Sequence, residues 1–126
     1  ANIGASCDLS GSWSLPRLVG LRRALEIALL SDTFDAQEAM RLGLVNRVVP
    51  AEALHEEPMK IARRLAGGAT LAYGRIRRLM RQSLEMPLDR QLDAERNAFL
   101  AGVQTQDFRD GVAAFLKKER PVFTGR

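Results

Sequence analysis

A carboxylate in a run of small residues is the first candidate for chemistry. Asp8 sits in residues 1–11, ANIGASCDLSG, which read as a loop with a possible strand end at Ile3. A carboxylate in such a loop has the mobility and access for general base work. An aspartate is equally at home in a polar turn, where its side chain bonds backbone two residues on. Lys118, in the stretch FLKKERPVF, is the second candidate, because an ammonium suits a phosphate even when exposed. Lys117, Lys118 and Arg120 would also offset a helix dipole with no ligand present.

Other reactive side chains fit simpler roles. Arg75, Arg77, Arg78 and Arg81 form the densest basic run, with Ile76, Leu79 and Met80 facing the other way, so the arginines read as the wet side of an amphipathic helix. Tyr73 alone does not supply the stacking aromatics of a nucleic-acid site, and no nucleic-acid partner is expected. His55 is the single histidine and lies beside Glu56 and Glu57. Helix neighbours point apart and no second ligand follows at zinc spacing, so no metal site is expected. Cys7 and Ser10 have no histidine nearby in sequence to activate them. Trp13 and Phe99 read as packing residues.

These residues must be placed by a chain of 126 residues, enough for one domain and short for two. Apolar content of 46% with only 6% aromatics implies a core of Leu, Ala and Val. A net charge of +4 is too modest by itself to mark a polyanion binder, though it suits a phosphorylated small ligand. One cysteine allows no intramolecular disulfide, and a reducing cytoplasm is the expected compartment. No apolar run approaches the roughly 20 residues of a membrane span, and the N-terminus lacks signal-peptide regions.

The clearest local pattern is residues 33–50, TFDAQEAMRLGLVNRVVP. Asp35 as N-cap with Glu38 as its capping-box partner predicts a helix from Ala36. Gly43 followed by Leu44 predicts a Schellman stop. Val45, Val48 and Val49 predict a short extended segment closed by Pro50. Before it, residues 12–19 predict a short helix capped by Ser12 and bent at Pro16. Residues 21–30 predict a helix with Leu21, Leu25, Ala28 and Leu29 inward. After it, residues 51–66 are helical in composition with a kink or restart at Pro58, and Ile61, Leu65 and Leu54 inward. A helix capped by Thr70 runs to Leu84, with Ala72, Ile76, Leu79, Met80 and Ser83 on one face. Pro87 at N1 opens a helix to about Val103, with Leu88, Leu92, Glu95, Phe99 and Val103 as its stripe. Thr105 caps a last helix to about Glu119, whose face is Phe108, Val112, Phe115 and Leu116, and Pro121 stops it.

Three blocks in this order, SWSLPRLVGLRRALEIALLSD, TFDAQEAMRLGLVNRVVP and DFRDGVAAFLKKERPVF, resemble the enoyl-CoA hydratase/isomerase (crotonase) superfamily. The resemblance runs over the whole chain and corresponds to the C-terminal helical part of such proteins. It implies a mainly α fold, the helical trimerisation part of a crotonase-like fold with one short extended segment. Residues 1–126 form a single helical domain: residues 1–11 are the remnant of a strand-to-active-site loop, 12–50 the crotonase-like helices and extended segment, and 51–126 the assembly helices. The start at Ala1, inside that loop motif, suggests a partial chain.

The resemblance also implies roles. The loop of Asp8 approaches the acyl group of a coenzyme A thioester, where the carboxylate acts as base or, in one branch, nucleophile. Cys7 stands where proline is common, and Leu9 and Ser10 replace glycines. Lys118 presents a cation to the nucleotide end of coenzyme A bound in a neighbouring subunit. The two backbone donors that hold the thioester oxygen as it becomes an enolate, usually the largest single term in such chemistry, fall in the N-terminal half of the family. The expected parent activity is therefore hydration or isomerisation of an acyl-CoA, with acyl-CoA as substrate and no bound cofactor, while this chain alone is expected to be inactive. The alternative is a non-catalytic helical oligomerisation module. Apolar faces without their scaffold predict a homo-oligomer, a trimer or a swapped dimer.

Overall fold

A computed structural model describes residues 2 and 4–126, so the possible strand end at Ile3 lies outside the described residues. The chain forms two compact units, Ala1–Leu54 and His55–Arg126. Among the described residues the regular structure is helical: seven α-helices and one 3-10 turn.

Unit 1 holds α1 (Gly11–Val19), α2 (Leu21–Leu30) and α3 (Ala36–Arg41). Helix α1 starts one residue before Ser12, and its N-cap is Ser10, with no side-chain cap bond. It runs through Pro16, whose nitrogen has no hydrogen to give the Ser12 carbonyl. Gly20, at φ 78° and ψ 157°, ends α1 and starts α2. Helices α1 and α2 pack together, and the buried residue of α2 is Ala24. The expected inward ridge of Leu21, Leu25 and Leu29 is instead exposed. Amphipathicity located the large side chains, but within unit 1 the close helix contact is made by a small one.

Helix α3 follows its local code. The Asp35 carboxylate accepts from the Glu38 amide at 2.8 Å. Gly43, at φ 78°, donates to Met40 O and Leu44 donates to Ala39 O, the two bonds of a Schellman stop. The second half of the expected capping box does not form, because the Glu38 carboxylate is engaged by the Arg41 guanidinium one turn on. Residues 45–50 carry neither helix nor paired strand, and Pro50 is extended at φ −56°, ψ 150°.

Unit 2 begins after the 3-10 turn Ala51–Ala53 and holds α4 (Glu56–Ala66), α5 (Thr70–Gln82), α6 (Leu88–Val103) and α7 (Gln106–Lys117). Pro58 falls in the first turn of α4, where a missing donor costs nothing, so the restart is the outcome at this proline. Ile61, Leu65 and, before α4, Leu54 are exposed rather than inward. Thr70 lies inside α5, whose cap position is Ala69 with no side-chain bond. Pro87 takes the cap position of α6, one residue outside the helix.

Helices α5 and α6 pack together. Between them runs an apolar groove of about 250 Å³, lined by Ala72, Ile76 and Leu79 from one side and Glu95, Phe99 and Val103 from the other. Part of each face read from periodicity meets here, Glu95 included, while Met80, Leu88 and Leu92 of those faces stay exposed. The polar lock between these helices is Gln91, 8% exposed. It donates to Leu79 O at 3.1 Å and accepts from Gln82 at 3.3 Å.

Candidate functional site

Lys118 lies where α7 stops. Its backbone is left-handed, φ 57° and ψ 34°, a conformation that costs a residue with a Cβ roughly 1–2 kcal/mol. Two bonds hold it there: Lys118 N donates to Phe115 O at 3.1 Å and Glu119 N donates to Ala114 O at 2.9 Å. This is a Schellman stop built on lysine where glycine is usual. Residues 119–126 then return along α7. Phe123 covers Gly111, where an added Cβ would lie 3.4 Å from its ring.

The return ends at the first turn of α7. Thr105 caps the helix, accepting from Phe108 N at 3.1 Å. The next residue but one, Asp107, is 3% exposed. Its carboxylate accepts from Thr124 N at 2.7 Å and from Gly125 N at 3.1 and 3.2 Å, and its own amide donates to Arg126 O at 3.0 Å. The first-turn amides of a helix have no partner within it, so the tail carbonyl satisfies one of them. Nothing in the local sequence pointed to Asp107, because its partners lie 17 and 18 residues away.

Asp8 belongs to the other unit. It is exposed, and its carbonyl accepts from Gly11 N at 2.8 Å. The two residues after it, Leu9 and Ser10, both have positive φ, 46° and 66°. The loop keeps a glycine-like backbone with residues that are not glycine, and Leu9 is 94% exposed. Asp8 thus stands on the N-terminal side of a strained turn leading into α1, with solvent access.

The remaining candidates separate. His55 is exposed at the cap position of α4, and no group of three potential metal ligands occurs among the described residues. Cys7 is a free, exposed thiol. Trp13 is half-exposed with the Arg17 guanidinium 4.1 Å from its ring centre. Phe99 meets Phe108 edge to face at 6.4 Å. Arg77, Arg78 and Arg81 are exposed and border an open concavity over Gly74. Arg75 departs from that wet face: it turns toward α6 and donates to Ala101 O at 3.4 Å.

The α1–α2 pair, the Schellman stop of α3 and the lysine-ended α7 occur in the order of the three sequence blocks. The model of the enoyl-CoA hydratase/isomerase family matches residues 1–126. The chain belongs to this family. The 1,2-epoxyphenylacetyl-CoA isomerase of Escherichia coli K12 is 36% identical over 126 residues, covering 100% of this chain and 48% of that protein. The crotonyl-CoA hydratase of Syntrophomonas wolfei is 35% identical over 124 residues, covering 98% and 48%. The crystal structure of an enoyl-CoA hydratase from Bacillus anthracis superimposes with a TM-score of 0.92 at 30% identity, covering 99% of this chain and 48% of that one. The chain spans about half the length of the relatives it matches, and what it shares with them is the helical part of the crotonase-like fold.

Proposed function

We propose that these residues serve as the helical half of a protein that hydrates or isomerises an acyl-CoA thioester through an enolate. Family membership over the whole chain carries this reading. In it, Asp8 faces the acyl group as a proton-transferring base, and Lys118 contributes a cation near the nucleotide phosphates. Acyl-CoA is the substrate, and no further cofactor is required. The exposed, turn-held carboxylate of Asp8 and the lysine fixed at the end of α7 support these roles, because both are presented from defined backbone. The donors that would stabilise the enolate oxygen are assigned to the other half of the family fold, so this half alone does not turn over substrate.

The test is hydration of crotonyl-CoA, followed by loss of enoyl absorbance, with this chain alone and with the complete protein. The complete protein should be active and Asp8→Asn should lower its kcat by about a hundredfold, the lower end of a general-base contribution. Full activity in Asp8→Asn removes the catalytic assignment.

A second reading, a helical assembly module, is favoured by one observation. The buried apolar residues among those described are only Ala24 and Ala114, whereas Phe115 and Leu116 are 81% and 76% exposed. Surfaces of this kind suit a homo-oligomer, a trimer or a swapped dimer.

A further inference from the structure

We infer that Asp107 is a positioning residue for Lys118, acting through the return segment 118–124 as a taut strap; this rests on the nucleotide role proposed for Lys118. The two residues stand 11 positions apart on α7, about 16 Å along the helix axis at 1.5 Å per residue. The chain must cover that distance in the six steps from Lys118 to Thr124, which reach at most about 20–22 Å when fully extended. Little slack remains, and Pro121 stiffens the middle by fixing its own φ and holding Arg120 extended.

Both ends of the strap are fixed by hydrogen bonds rather than by large apolar contacts. At one end the Phe115 and Ala114 carbonyls hold the amides of Lys118 and Glu119. At the other, the buried Asp107 carboxylate holds the amides of Thr124 and Gly125, and Arg126 O receives the Asp107 amide. Between them Phe123 is the anchor on Gly111, while Val122 is 77% exposed. The left-handed backbone of Lys118 is unfavourable by itself. A strap with little slack, pinned at its far end, favours the one direction of exit that this conformation provides. Release at Asp107 frees the far end of the strap at Thr124 and Gly125, and Lys118 then loses the restraint that aims its ammonium.

The experiment compares an enoyl group carried on coenzyme A with the same group on pantetheine, which lacks the nucleotide, in the complete protein. Lys118→Ala should raise KM for the coenzyme A thioester about tenfold, the effect of one charge-assisted contact, and leave the pantetheine thioester unchanged. Asp107→Asn should produce the same selective rise with kcat unmoved, and combining it with Lys118→Ala should add nothing further. Thr124→Pro, which removes one donor while leaving Asp107 in place, should behave alike and serves if Asp107→Asn does not fold. If Lys118→Ala is selective but both strap variants leave KM unchanged or affect both thioesters equally, the positioning role is overturned and the nucleotide role stands. If Lys118→Ala is itself unselective, the nucleotide role fails and the positioning role fails with it.

Discussion

At Leu9 and Ser10 the backbone holds φ of 46° and 66°, which glycine would adopt without a Cβ penalty. Replacing either by glycine should therefore raise stability by ~0.5–1 kcal/mol, after glycine's greater unfolded-state freedom is subtracted. Urea unfolding checks this, and a loss of stability would show that the side chains contribute packing. Lys118→Gly should stabilise by a similar amount while removing the cation, so stability and the proposed ligand contact move in opposite directions. Glu38 reports on pH. Its carboxyl is held below its ordinary value chiefly by the side-chain hydrogen bond from Arg41. A carboxylate with a depressed folded pKa contributes above the ordinary glutamate range and loses that contribution as pH falls through the folded value. Stability should therefore drop slightly on the acid side of about pH 4, and Glu38→Gln should lack this drop. A matching loss toward alkaline pH would contradict the assignment.

Among the elements, α3 was the most legible from sequence, because cap, helix and stop are written within ten residues. Asp35→Ala should cost about 1 kcal/mol for the lost bond to Glu38 N, measured by thermal unfolding. The capping box failed in part because Arg41, also one turn away, competes for the same carboxylate. Helix limits set by Gly20, Pro87 and Thr105 were legible to within one or two residues, whereas the stretch expected to be helical from Ala51 is a 3-10 turn and α4 begins only at Glu56. Inward faces were less so. The periodicity of α2 and α7 correctly found their large apolar residues, yet Ala24, Ala114 and Asp107 are the buried ones. Hydrophobic patterning records that a face will be covered, without recording whether the cover belongs to the same chain. The α5–α6 pair was read correctly in part: Ala72, Ile76, Leu79, Glu95, Phe99 and Val103 line a shared groove, whereas Met80, Leu88 and Leu92 stay exposed. Asp107 was invisible to local reading, since its value depends on a tail that returns from the opposite end of α7.

The whole molecule exposes 10448 Å². Two separate compact bodies with the sizes of the two units would together expose roughly 8,000 Å² by the usual scaling of surface with mass. The excess is apolar in many places, among them Leu29, Phe99, Phe115 and Leu116, and isolated helices of this length need tertiary cover to be stable. The exposed apolar faces and the half-length match to relatives agree with the proposed assembly role, in which these helices receive surfaces from outside the chain. Phe115→Ser combined with Leu116→Ser should therefore weaken the proposed self-association while leaving α7's internal bonds in place.

Light scattering coupled to size-exclusion chromatography of the unmodified chain tests this most directly. The expected mass is a multiple of 13.9 kDa, falling toward one chain in the Phe115→Ser, Leu116→Ser variant. A single 13.9 kDa species that unfolds cooperatively, with its apolar faces bare, would contradict the account.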